Sequence, residues 1–153
     1  MDDWKLPWAG GCRCDAVRLK ITAPPLLTAA CHCSGCQRMS AGAFSLTIAI
    51  PSEGFAVTRG EPVIGGLHGA HRHYFCGYCK SWMFTRPAGM DDFVNMRATM
   101  LDDHGWFAPF IETWLDEALP WANTPAEFSF PKFPPVEDFP KYIAAFAERG
   151  ARP

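Results

Sequence analysis

Seven cysteines in three tight groups constrain this 153-residue chain more than any other feature: CRC at 12–14, CHCSGC at 31–36 and CGYC at 76–79. They are Cys12, Cys14, Cys31, Cys33, Cys36, Cys76 and Cys79. An odd number forbids complete disulfide pairing within the chain, and a reducing compartment keeps such thiols free. Spacings this short let one turn of backbone aim two or three sulfurs at a common point, as tetrahedral zinc coordination at about 2.3 Å requires. Seven thiols divide naturally as four plus three. Two pairs close a structural site, whereas CHCSGC supplies three ligands and leaves one position for water or substrate, the pattern of a catalytic zinc.

Other divisions remain. CHCSGC can borrow a sulfur from elsewhere, which strands two thiols, or it can use His32 as a fourth ligand. Neighbours on an extended segment face opposite ways, so Cys31 and Cys33 converge while His32 turns aside. Buried free thiols packing a core are the bland alternative.

With 48% hydrophobic and 20% charged residues the chain belongs with folded proteins, and its length suits one domain over residues 1–153. A formal net charge of −2 without a basic block gives a phosphate backbone little to bind, so nucleic acid is not an expected partner. No apolar run approaches the roughly 20 residues that span a bilayer, and MDDWKLPWAGGC has neither the basic nor the apolar region of a signal peptide. The expected location is the cytoplasm, without a membrane partner; the oligomeric state is left open.

Period-2 or β-rich runs recur as VRLKIT (17–22), FSLTIAI (44–50), FAVTRG (55–60), HRHYF (71–75), WMFTR (82–86) and FVNMRATM (93–100), separated by turn signals such as PSEG, RGEP and PAG. The expected fold class is mainly β: antiparallel sheets over a motif core at 10–100, stapled by zinc. Residues 101–150 read as a Pro- and aromatic-rich cover of loops, then a short C-terminal helix capped by Asp138, with Phe139, Tyr142, Ile143 and Phe146 on its apolar stripe and Gly150 at its end. A metal joining the CRC and CGYC groups would tie together hairpins far apart in sequence.

With GGCRC, CHCSGCQR and FCGYC in this order, the chain resembles the glutathione-dependent formaldehyde-activating enzyme family, which includes centromere protein V. All seven cysteines match, and the motifs cover residues 10–86. The resemblance implies a β-tent fold, one structural zinc on Cys12, Cys14, Cys76 and Cys79, and one catalytic zinc on Cys31, Cys33 and Cys36. It also implies the family reaction, which joins glutathione to formaldehyde as S-hydroxymethylglutathione, formally a carbon–sulfur lyase run in the forming direction. Many members carry Gly directly after the second cysteine of the CxxC pair, where this chain has Lys80. The competing class is a non-catalytic zinc module that binds a protein partner; a methionine sulfoxide reductase-like enzyme would need a free cysteine outside the metal sites.

Around these motifs, Gln37 and Arg38 follow the three-cysteine group, and Arg38 is a candidate to grip a substrate carboxylate through a bidentate fork. His68, His71 and His73 precede CGYC; a half-exposed strand face is preferred to a hydrogen bond with a zinc thiolate. His104 reads as a loop residue. Trp82, Trp106, Trp114 and Trp121 read as packing rather than a pocket wall. The pairs Asp91–Asp92 and Asp102–Asp103 read as turns.

Overall fold

The computed structural model describes residues 3–66 and 69–153, so His68 lies outside the described residues. The fold is mainly β, with eleven strands in two sheets among those residues. The smaller sheet joins β1 (Trp8–Gly11), β2 (Arg18–Ile21) and β5 (Phe55–Arg59), all antiparallel. The larger contains β3 (Leu27–Cys31), β4 (Ser45–Pro51), β6 (Val63–Gly65), β7 (Arg72–Phe75), β8 (Trp82–Arg86), β9 (Phe93–Arg97), β10 (Ile111–Thr113) and β11 (Phe128–Ser129). Its order is β11-β10-β3-β4-β9-β8-β7-β6. Two helices complete the fold, α1 (Ser34–Ser40) directly after β3 and α2 (Phe139–Arg149) near the C-terminus.

Alternation explains how the sheets meet. Leu19, Ile21 and Phe55 of the smaller sheet pack against Ile48, Ile50, Phe84, Val94 and Met96 of the larger one, and Cys12 and Cys76 belong to the same buried cluster. The period of two then puts the intervening residues of the larger sheet on its other face. There the register sets Thr113 beside Cys31, Cys31 beside Ser45, Thr47 beside Arg97, Asn95 beside Thr85 and Thr85 beside His73. A polar row thus crosses six strands, from β10 past the three-cysteine segment at the end of β3 to β7.

One irregularity alters that face. Tyr74 pairs with Phe84 but Phe75 pairs with Trp82, so Met83 is an extra residue on β8. Such a bulge breaks alternation. Trp82 shares parity with the core residue Phe84, yet it stacks with Phe75 and meets Arg97 and His73 on the polar side.

The segment after residue 101 does more than cover the sheet. β10 pairs in parallel with β3 and with β11, which makes the sheet mixed and correctly completes the edge that β3 would otherwise expose. Helix α2 lies where its periodicity predicts, with Tyr142 and Phe146 buried among Leu27, Phe110 and Ile111; each aromatic contributes on the order of 2 kcal/mol by burial. Its ends differ from expectation. The Asp138 side chain makes no capping hydrogen bond and instead approaches Lys141 at 3.9 Å. Gly150 has φ −65°, so space rather than a left-handed backbone requires glycine: a Cβ there would stand 2.1 Å from the Phe146 ring. Among the described residues no helix is long and apolar enough to cross a membrane.

Candidate metal centres

The CRC and CGYC groups meet although 62 residues separate Cys14 from Cys76. Their sulfurs are 3.7 Å apart, Cys12 and Cys14 are 3.6 Å apart, and the Cys79 sulfur lies with these three inside a cluster no wider than 4.8 Å. The edge of a tetrahedron with 2.3 Å metal–sulfur bonds is about 3.8 Å, so this donor set fits zinc. Backbone amides support it: Val17 N–H donates to Cys12 Sγ at 3.4 Å and Cys79 N–H to Cys76 Sγ at 3.4 Å. Bonds of this kind favour thiolate over thiol. Ser81 ties the two loops, its hydroxyl accepting from Arg13 N–H at 3.1 Å and lying 3.2 Å from Cys79 Sγ.

Closing the CGYC turn forces Lys80 to φ 61°, where its amide donates to Cys76 O at 3.0 Å. This is a left-handed position that glycine fills without steric cost. The conformation explains the glycine preference noted at this point of the motif. Lys80→Gly is therefore expected to stabilise the chain by about 1 kcal/mol, read as a rise of about 3 °C in thermal midpoint at fixed zinc.

The second cluster gathers Cys31 from the end of β3, Cys33 at the N-terminal boundary of α1 and Cys36 in its first turn, again within 4.8 Å. Cys36 N–H donates to Cys33 Sγ at 3.3 Å, repeating the turn chemistry of Cys76 and Cys79. In the protein without metal, the neighbouring Cys36 thiol lowers Cys31 to about 5, with the Thr113 hydroxyl assisting against burial. Cys36 is correspondingly raised, by its neighbour Cys31 and by burial, and burial raises Cys33. The signs fix a proton count. Near pH 7 Cys31 is already ionised, while Cys33 and Cys36 must each lose a proton to ligate. Zinc uptake at this cluster should release about two protons, so affinity should rise about 100-fold per pH unit between pH 6 and 8. Calorimetry in buffers of different ionisation enthalpy checks this, and a count of three would contradict it.

His32 sits between two of these cysteines yet faces the other way, as the extended backbone predicts. It is buried, and its Nε2–H donates to Glu112 Oε1 at 2.8 Å; Glu112 Oε2 accepts from the Ser129 hydroxyl at 2.8 Å. Gln37 is a brace: its side-chain amide donates to His32 O at 2.8 Å and Glu117 O at 2.9 Å. Arg38 is exposed in the last turn of α1, about 200° around the helix from Cys36.

Several remaining sequence expectations change. His73 is buried rather than half-exposed, and its Nδ1 meets Thr85 Oγ1 at 2.8 Å, whereas His71 is exposed and accepts from Ala88 N–H at 3.1 Å. His104 keeps to its loop, donating to Leu101 O at 2.7 Å. Asp102 is more than a turn residue, since its two oxygens accept from the Arg18 guanidinium. Trp106 packs with Trp4 and Trp8, but Trp121 is 70% exposed. Two residues near the second cluster escaped the sequence: Glu112 and Arg97. Arg97 is 8% exposed, its guanidinium stacks 4.0 Å over the Trp82 ring, and burial lowers it to about 10 while Cys36 and Cys31 act in the opposite direction. Only the strand register could have revealed it.

Comparison with known proteins agrees with this geometry. A crystal structure of a Rhodobacter sphaeroides protein has a similar fold, with a TM-score of 0.52 at 17% identity, over 80% of this chain and 98% of that one. No curated protein matches the chain. The sequence pattern described as glutathione-dependent formaldehyde-activating enzyme matches residues 7–117. With that match spanning both cysteine clusters, the chain belongs to the glutathione-dependent formaldehyde-activating enzyme family.

Proposed function

We propose that the chain binds a small thiol at the Cys31–Cys33–Cys36 cluster and adds it to a small aldehyde. Glutathione and formaldehyde are the substrates the family suggests, with S-hydroxymethylglutathione as product, formally a carbon–sulfur lyase reaction run in the forming direction. The observation that carries this reading is the unequal ligand count. Among the described residues one cluster offers four sulfurs and the other three, and the adjacent His32 is committed to Glu112. Three protein ligands and one open position distinguish a catalytic zinc from a structural one. Zinc bound there would supply a soft site that favours an incoming thiol as thiolate near neutral pH.

The chain's own groups serve that chemistry. The Thr113 hydroxyl near Cys31 and the Ser45 hydroxyl near Cys36 favour the anionic forms of these thiols. α1 and the Gln37 brace fix Cys33 and Cys36 relative to β3, which limits motion during attack. Arg38, exposed on the same helix about 200° from Cys36, serves long-range attraction of a substrate carboxylate rather than a grip on it at the cluster.

Titration of zinc-loaded protein with glutathione tests the reading. One thiol per chain should bind with release of about one proton, and the protein should accelerate carbon–sulfur bond formation from ¹³C-formaldehyde observed by NMR. Absence of thiol binding overturns the assignment.

A further inference from the structure

The polar row beside the three-cysteine cluster contains a buried cation whose hydrogen bonding is incomplete. Arg97 Nη2 reaches Thr85 Oγ1 and Asn95 O, each at 3.4 Å, while its Nε has no hydrogen-bond partner. Among the described residues no carboxylate lies within 4.0 Å of it. The indole Nε1 of Trp82, the ring on which Arg97 stacks, is also buried without a partner. Buried donors are nearly always satisfied, and exceptions call for a ligand or water. A guanidinium so deep also needs a nearby negative charge, and among the described residues the structure shows only the Cys36 and Cys31 sulfurs acting on it, without a hydrogen bond. On this face the register brings Arg97 opposite Thr47, two residues along β4 from Ser45, which pairs with Cys31.

We propose that Arg97 and Trp82 form an oxygen-anion subsite next to Cys31, Cys33 and Cys36, in which the Arg97 Nε–H and the Trp82 indole N–H hold the carbonyl oxygen of the small aldehyde. This rests on the thiol-addition reading. As sulfur donates a lone pair to the carbonyl carbon, the carbon–sulfur bond forms and the carbonyl π pair moves onto oxygen. The resulting alkoxide takes up, through water, the proton that the thiol lost on binding. Donors aimed at the position where charge develops lower the barrier most in a water-poor site. The bulge at Met83 gives the subsite its second donor, because strict alternation would have sent Trp82 into the core.

The probe is formate, a one-carbon oxyanion, added to zinc-loaded protein carrying ¹⁵N-labelled indoles, with Trp82→Phe assigning the resonance. A saturable shift of the Trp82 indole signal is expected in the wild type and should vanish in Arg97→Met. Arg97→Gln should lower kcat about 100-fold with glutathione affinity unchanged, the loss typical of one oxyanion donor. An unmoved indole signal overturns the subsite, as does an Arg97→Gln protein with full kcat. If an Arg97 variant does not fold, the wild-type titration decides alone. Glutathione binding with no formate response defeats only the subsite. A formate response without glutathione binding keeps the oxyanion site and defeats the thiol reading.

Discussion

Replacing Cys76 by serine is expected to abolish cooperative folding, or to lower the thermal midpoint by 15 °C or more. The Cys76 sulfur is buried and belongs to the same apolar cluster as Cys12, Leu19 and Phe84, so its site lies inside the junction of the two sheets. Cys12 and Cys14 enter from the loop before β2 in the smaller sheet, while Cys76 and Cys79 come from the turn between β7 and β8 in the larger. A shared metal therefore joins the sheets across more than sixty residues of chain, a closure the unfolded state lacks. Structural zinc binding contributes roughly 10–16 kcal/mol in small metal-dependent folds. An ordinary domain has only about 5–15 kcal/mol in total. Half of the metal's contribution, lost with one ligand, is about 5–8 kcal/mol, enough to consume the whole margin of a domain at the low end of that range, and at about 3 °C per kcal/mol the midpoint falls by the stated amount. Thermal unfolding followed by circular dichroism, with zinc content measured in parallel, checks this. A strong chelator should do the same to the wild type. A Cys76→Ser protein that melts near the wild-type temperature would mean the apolar junction suffices without metal.

The cysteine spacing made this site legible before any fold was known, because ligand chemistry imposes a local pattern that survives in sequence. FSLTIAI and WMFTR also announce strands, since β-branched and aromatic residues fit a pleated, half-buried surface. LTAAC does not, although it forms β3. Its alanines carry no β signal, and its place is set by pairing with β4 on one side and β10 on the other. Helix α1 has no buried residue and spans seven positions, too few for an apolar stripe to show. β10 and β11, at three and two residues, are held by their neighbours rather than by propensity. Arg97 was hidden for a different reason. In FVNMRAT it occupies an alternating polar position, which normally means solvent; here that face is buried beside the cysteines. Periodicity tells which residues share a face but not what covers it.

Glu112 shows how a residue outside every motif can govern one inside. Glu112→Ala is expected to cost about 2–4 kcal/mol, because it leaves the buried His32 ring and the Ser129 hydroxyl without their hydrogen-bond partner. His32 has no exposed surface and its Nδ1 already lacks a partner, so losing the bond at Nε2 would leave both ring nitrogens unsatisfied in the interior. The Ser129 hydroxyl would lose its acceptor as well. Glu112→Gln separates shape from charge: its carbonyl still accepts from His32 and its amide can donate to Ser129, so a cost of about 1 kcal/mol is expected. The consequence reaches the cluster because His32 lies between Cys31 and Cys33. The His32 amide donates to Thr113 O at 3.0 Å, and the ring contact with Glu112 fixes the rotation of the same segment against β10. If that rotation is what aims the two sulfurs, the alanine variant should bind zinc at the three-cysteine cluster about 10–100-fold more weakly, as loss of a group that orients a ligand usually does. The four-cysteine site, built from other loops, should keep its metal. Competition with a chromophoric chelator would then resolve one tight and one weakened zinc per chain. Two unchanged affinities would show that β3 and α1 aim the cysteines without help from β10.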